Sequence, residues 1–86
     1  MSGETIFIEY ADTPSTWECR QQVMDALQAG NKVVISFMLT RVLSYSHAVE
    51  LLSGIPKQYA SKVTYSYLKA DIIRSLELAI KEVYRE

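Results

Sequence analysis

The chain has 86 residues, of which 49% are hydrophobic and 22% are charged, and its formal net charge at pH 7 is −1. This length and composition predict one globular domain over residues 1–86 with a small hydrophobic core. The near-neutral charge and the scattered basic residues argue against a nucleic acid partner, because binding to a phosphate backbone needs a basic field.

The cysteine count and the hydropathy pattern bear on the compartment. Cys19 is the single cysteine, so no internal disulfide or thiolate metal cluster can form, as is usual in a reducing compartment. No basic and apolar signal pattern opens the sequence, and the longest apolar run is far shorter than the ~20 residues that cross a bilayer. We therefore expect a cytoplasmic protein with no membrane partner.

The first predicted elements are a strand and a helix. Residues 5–10 are rich in β-branched and aromatic side chains, which is typical of a strand. Asp12 or Thr13 is expected to cap the helix that follows, with Pro14 in its first turn. Gly30 is expected to end this helix in the left-handed conformation. The apolar positions at near-helical spacing are Trp17, Val23, Met24 and Leu27.

The middle of the chain predicts a second strand and a second helix. Residues 32–37 form the strand, and the continuous apolar run 33–35 predicts that both of its faces are covered. After a connector, a helix is expected to begin near Ser44 or Ser46 and to end at Gly54.

The last predicted elements are a strand and a long helix capped by Asp71. Residues 62–67 alternate in polarity, which favours a strand that lies at an edge or exposes one face. Tyr65 and Tyr67 are expected on the same side of this strand, either covering the last helix or forming a self-association patch.

This order of elements, βαβαβα, predicts a compact α/β domain with a mainly parallel or mixed small sheet. A small sheet leaves free edges, so a homodimer is one expectation for the solution state.

The sequence offers little catalytic or cofactor chemistry. The three glycines are isolated, so no phosphate-binding loop is present, and Cys19 lies far from the single histidine, His47. A hydrolytic triad would need Ser44 or Ser46 to face His47 and Glu50, and neighbours at a helix start have no clear reason to do so. We expect a protein that is not an enzyme and that has no cofactor and no metal.

Residues 44–47, Ser-Tyr-Ser-His, have two interpretations. Either serine can cap the helix by accepting a hydrogen bond from an otherwise unpaired N–H group. A serine at a helix start is also a suitable phosphorylation site, because the N–H groups and the helix dipole favour negative charge there.

Residues 33–37, 44–47 and the pair Leu51-Leu52 resemble STAS domains, the family of the bacterial anti-anti-sigma factors. In that family a V-V-L-D-L strand and a short connector precede D-S-S-G and a Leu-Leu pair. Residues 26–34 also resemble the A-L-x-x-G-x-x-V-V pattern of small STAS-like proteins of unknown function. The resemblance covers roughly residues 13 to 84. It implies a STAS-like fold and a non-catalytic regulatory module that binds a kinase-type ATPase.

The same resemblance implies roles for individual residues. Ser46 occupies the position of the serine that the partner kinase phosphorylates, so Ser46 and then Ser44 are the switch candidates. Ser44 stands in place of the family's acidic residue, His47 in place of its glycine and Ser36 in place of its strand aspartate. The expected partner-binding surface around the switch consists of Arg41, Tyr45, His47 and Glu50.

A second resemblance concerns residues 33–37 and 50–54. They are similar to the V-V-x-N-L strand and the D-F-L-S-G helix end of the cell-division protein family SepF. This likeness implies a structural assembly protein that dimerises and binds a filament-forming division protein.

Overall fold

The computed structural model describes residues 3–85, which contain three β-strands, three α-helices and two 3-10 helices. The strands and α-helices are β1 (Thr5–Glu9), α1 (Thr16–Gln28), β2 (Lys32–Ser36), α2 (Tyr45–Ser53), β3 (Val63–Ser66) and α3 (Ala70–Tyr84). The 3-10 helices are Tyr10–Asp12 and Lys57–Lys62. The predicted α/β class is confirmed.

The three strands form a parallel sheet with β2 in the middle. Val33 of β2 pairs with Ile6 of β1 and with Val63 of β3. Ile8, Ile35 and Tyr65 are paired two positions further along the strands. Because side chains alternate along a strand, these two rows of paired residues point to the same face. On that face Ile8, Val33, Ile35 and Val63 are buried.

The helices cover only this face of the sheet. α1 packs against β1 and β2, and α2 packs against α1 and α3. Their buried side chains and those of the sheet form one core cluster, which includes Val23, Leu27, Leu51, Leu52, Ile72 and Leu76.

The opposite face of the sheet has no such cover. Its middle row is Phe7, Val34 and Thr64, and Phe7 is 72% exposed. Val34 is only partly buried. The prediction that both faces of residues 33–35 are covered is therefore wrong, because the chain places its helices on one side of the sheet.

The start of α1 differs from the prediction. Ser15 is the N-cap, and its hydroxyl accepts a hydrogen bond from the Glu18 N–H at 3.1 Å. Asp12 lies in the first 3-10 helix, and the Thr13 hydroxyl donates to the carbonyl of Tyr10. Both expected caps are thus wrong, since the helix begins later than the turn residues suggest. Pro14 precedes the helix.

The buried stripe of α1 also differs in one position. Thr16, Cys19, Val23 and Leu27 face the core, whereas Trp17 is 53% exposed. Adjacent residues on a helix are separated by about 100°, so a stripe that includes Thr16 turns Trp17 outward. Gly30 has a φ of 92°, as the prediction of a left-handed helix end requires.

The last strand is shorter than expected, and the last helix begins earlier and is capped differently. β3 ends at Ser66, and α3 has Lys69 at its N-cap with no side-chain hydrogen bond there. Asp71 lies in the first turn of α3 and does not cap it. Along residues 3–85, no helix combines the length and the hydropathy needed to cross a membrane.

Candidate functional site

The connector between β2 and α2 fixes the position of the α2 N-terminus. Phe37 and Leu43, near its two ends, are buried in the core. The Phe37 N–H donates to the carbonyl of Ser66, and the Thr40 N–H donates to the carbonyl of Phe37. The Lys69 Nζ donates to the carbonyl of Thr40 at 2.7 Å. These contacts hold the connector against the rest of the protein, and they therefore fix the position at which α2 begins.

Ser44 is the N-cap of α2. Its Oγ accepts a hydrogen bond from the His47 N–H at 3.2 Å, and α2 begins at the next residue, Tyr45. The predicted helix start near Ser44 or Ser46 agrees with this geometry. The Ser44 hydroxyl is thus used by the fold, since it pairs an N–H group that the helix leaves without a partner.

Ser46 is exposed and is not required for the cap. Its Oγ lies 3.3 Å from the Ser44 Oγ, and the pair sits at the protein surface. Of the two switch candidates, Ser46 is therefore the hydroxyl that a modifying enzyme can reach without removing a structural hydrogen bond.

The four expected partner-binding residues are all exposed, but the structure does not gather them into one patch. His47 and Glu50 line a cleft between α2 and the β1–α1 connection. Tyr45 lines a separate groove against α3, together with Leu78 and Lys81. Arg41 lies in the connector.

The cleft beside His47 and Glu50 has a volume of about 470 Å³. It opens where β1 and β2 end, the usual position of ligand sites in parallel sheets. Its walls come from the turn after β1, from the start of α1 and from the connector. The lining residues are Tyr10, Ala11, Thr13, Pro14, Ser15, Thr16, Thr40, Val42, His47 and Glu50.

Three polar residues of this cleft were not predicted from the sequence. The Tyr10 and Thr16 hydroxyls lie 2.5 Å apart, and the buried Thr40 Oγ1 has no hydrogen-bond partner within the described residues. Burial is the main reason why the pKa of Tyr10 lies above its usual value, and the nearby Glu50 carboxylate adds to the rise. Tyr10 directly follows β1 and Thr40 lies in the connector after β2, so the signal for these two is their place beyond the carboxyl ends of parallel strands; Thr16 opens α1 and has no such signal.

The side chains at the start of α2 do not form a catalytic triad. Ser44 contacts the backbone N–H of His47 and not its imidazole. Hydrogen bonds that would orient a nucleophile, a base and a carboxylate are not formed among residues 44–50. Across residues 3–85, no group of three or more His, Cys, Asp or Glu side chains is placed to hold a metal ion.

The tyrosines proposed for self-association are separated by the fold. Tyr65 is partly buried on the helix-covered face and stacks on Phe37 at a centroid distance of 6.3 Å. Burial raises the pKa of its hydroxyl well above the usual value. Tyr67 follows the strand with a φ of 57° and is 63% exposed. The expectation of a pair on one strand face is wrong, because β3 ends before Tyr67.

Cys19 is fully buried in the core. Burial raises the pKa of its thiol to about 11, although a hydrogen bond with Thr13 opposes the rise. A thiol that stays protonated near neutral pH is a poor nucleophile, so Cys19 behaves as a small core residue.

Comparison of the chain with protein-family models, with curated proteins and with solved structures gave no match in any of the three searches.

Proposed function

We propose that this protein is a non-catalytic regulatory module that binds another protein through the surface at the start of α2. The observation that carries the proposal is that only one of the two serines at the start of α2 is used by the fold. Ser44 caps the helix, which leaves the Ser46 hydroxyl exposed at a position that the fold does not need. The resemblance to STAS domains supplies the partner class, a kinase-type ATPase, and the finer expectation of a STAS-like arrangement.

A phosphate on Ser46 would change the surface and leave the core intact. It would add close to two negative charges and three acceptor oxygens in the first turn of α2, where the helix dipole favours negative charge. Ser46 is exposed, so the added group needs no space inside the protein. A partner that contacts the unmodified helix start would then meet a charged surface.

The surroundings of Ser46 suit a protein interface. Val42 is 69% exposed and Tyr45 is 45% exposed, and both lie within a few residues of the exposed Arg41 and His47. Interfaces combine apolar and aromatic anchors with a polar rim, and Tyr and Arg are enriched among the residues that dominate binding. We therefore propose a partner that contacts both sides of the α2 start, with Tyr45 as the anchor in the groove against α3 and with Arg41, His47 and Glu50 as polar contacts on the connector and in the cleft.

The test is capture of partners from the native cell with tagged wild-type protein and two charged variants. Ser46→Asp places a carboxylate at the switch position. Ser61→Asp is the matched control, because Ser61 is an exposed serine in the second 3-10 helix. Mass spectrometry identifies the captured proteins and any phosphate on the peptide that carries Ser44 and Ser46.

The regulatory proposal expects a kinase-like ATPase bound to the wild type and to Ser61→Asp but lost with Ser46→Asp. Phosphate on Ser46 in the native protein would complete the support. Equal capture by all three proteins would place the contact surface elsewhere and leave Ser46 without a regulatory role.

A structural assembly protein of the SepF kind is the second candidate. The observation that favours it is the open sheet, since β1 and β3 are both edge strands and unpaired edges promote association between chains. Capture of a filament-forming division protein with an unmodified Ser46 would favour this candidate over the first.

A further inference from the structure

One face of the parallel sheet lacks the covering layer that such sheets normally have. All-parallel sheets occur almost only with both faces covered, because their connections place helices on the faces. Here the helices lie on one side. We use the name open face for the side without helices, which by strand register consists of Thr5, Phe7, Glu9, Lys32, Val34, Ser36, Thr64 and Ser66. Of these, Ser36 is buried.

The open face has an apolar centre that extends into the connector. Phe7 is 72% exposed at its middle, beside Val34. At the carboxyl end of the strands, the Leu39 N–H donates to Glu9 Oε2 at 3.1 Å, and the Met38 N–H donates to Ser36 Oγ at 3.3 Å. Leu39 and Met38 are 61% and 51% exposed. These hydrogen bonds hold two more apolar side chains next to the face.

The charges of the open face lie at its two ends and have opposite signs. Glu9 ends β1, and its carboxylate is fixed by hydrogen bonds from the Ser36 hydroxyl at 2.6 Å and from the Leu39 N–H. Lys32 begins β2 at the other end and is exposed. Within residues 3–85 neither charge takes part in an ion pair. The face therefore presents a fixed negative end and a positive end.

We infer that a second copy of this chain covers the open face, with its strands running in the opposite direction. A two-fold axis that lies in the interface and crosses the strands places Phe7 against the Phe7 of the other copy. The same axis brings Lys32 of each copy next to Glu9 of the other, so the contact is self-complementary. An axis along the strands would instead oppose the two lysines and leave the two carboxylates without cations.

The sheet sets the size of this contact. Its three strands of five, five and four residues span roughly 16 × 14 Å, and Met38 and Leu39 extend the contact, so the interface is smaller than the ~800 Å² per partner of a standard one and the dimer is weak. Stacked sheets pack about 10 Å apart. The dimer would have four layers, helices outside and two sheets inside, and the α2 N-terminus would remain accessible on the helical side.

Sedimentation equilibrium of the full chain measures the association, with two glutamate variants as a matched pair. Phe7→Glu puts two like charges at the centre of the contact. Trp17→Glu changes an aromatic of similar exposure on α1, away from the open face. We expect a wild-type dimer, a Kd raised about tenfold or more by Phe7→Glu, and little change with Trp17→Glu.

Charge reversal tests the direction of the strands. Lys32→Glu alone and Glu9→Lys alone each place like charges together and should weaken the dimer. A mixture of the two variants restores both opposite-charge pairs, so the heterodimer should form with a lower Kd than either homodimer. Circular dichroism of each variant confirms that it is folded before the comparison is made.

Three results would overturn the inference. A wild-type chain that stays monomeric at millimolar concentration rejects the dimer. A dimer that Phe7→Glu and Trp17→Glu weaken equally places the contact elsewhere. A dimer that depends on Phe7 but shows no preference for the mixture of charge variants rejects the antiparallel arrangement.

Discussion

Ser44 and Ser46 lie two positions apart at the start of α2, and only the Ser44 hydroxyl caps the helix. The Ser44 Oγ accepts the hydrogen bond from the His47 N–H, while the Ser46 Oγ contacts only the Ser44 Oγ within the described residues. The difference follows from backbone conformation, because Ser44 is extended at the N-cap and a side chain there reaches the N–H three residues later.

Replacement of each serine by alanine should separate these roles. Ser44→Ala removes the cap and should lower the free energy of unfolding by about 1 kcal/mol. Ser46→Ala should change it by less than about 0.5 kcal/mol, as is usual for an exposed site. Urea denaturation of both variants gives the comparison, and an equal loss of stability would show that both serines support the helix start.

Gly30 has a left-handed backbone conformation, and replacing it should cost stability through that conformation alone. Gly30 has a φ of 92°, and a Cβ added there would meet no atom within 4 Å. A substitution at this position therefore meets no steric contact, and its penalty comes from the conformation alone.

Gly30→Ala should lower the free energy of unfolding by about 1 kcal/mol. Gly30→Asn should cost less, since Asn tolerates the left-handed region better than Ala. Thermal or urea unfolding of the two variants orders them. Gln28→Ala, at the end of α1, is a control with an expected change near zero, and a larger loss for Asn than for Ala would contradict the conformational explanation.

At the scale of the elements, Lys69 joins α3 to the connector that precedes α2. It occupies the N-cap position of α3, yet its side chain does not cap that helix. Its Nζ instead donates to the carbonyls of Thr40 at 2.7 Å and Phe37 at 3.5 Å. Lys69 thus adds a side-chain tether to a connector that is also held by the Met38 and Leu39 N–H groups.

Lys69→Met keeps most of the aliphatic side chain and removes these two hydrogen bonds. We expect a loss of about 1 kcal/mol in the free energy of unfolding and faster amide hydrogen exchange in residues 38–43. Lys62→Met is the control, because Lys62 is exposed in the second 3-10 helix. Unchanged exchange in the connector would show that the buried Phe37 and Leu43 hold it without Lys69.

The ends of helices could be predicted from the sequence where they depend on the residue at that position. Gly30 was identified correctly, because a left-handed turn depends on the residue present, and Ser44 was one of the two serines expected to cap α2. Asp71 was misassigned, because α3 begins at Ala70 and has no side-chain cap. The open side of β2 and the polar cleft around Tyr10 and Thr40 were missed because both arise from how elements distant in sequence pack together.

At the scale of the whole molecule, the buried thiol of Cys19 and three partly buried tyrosine hydroxyls have raised pKa values. Burial raises the pKa of Cys19 to about 11, and it also raises the pKa of Tyr10, Tyr65 and Tyr84 above their usual values. The unfolded chain loses these protons at lower pH than the folded chain does. Alkaline solution therefore favours unfolding, because the unfolded state binds fewer protons there.

The stabilisation from these groups should accordingly be fully present below the ordinary thiol pKa of 9.0 and should fall as the pH rises towards about 11. The part due to Cys19 is on the order of 2 kcal/mol, since each pKa unit corresponds to 1.36 kcal/mol. Urea denaturation at a series of pH values measures the fall.

Cys19→Ala identifies the thiol's share of this alkaline loss. The variant is less stable at neutral pH, because it leaves a cavity in the core, but its stability should decline less steeply between pH 9 and 11 than that of the wild type. The tyrosines account for the slope that remains. If the two proteins lose stability in parallel over this range, the Cys19 thiol ionises as readily in the folded chain as in the unfolded chain, which full burial does not allow.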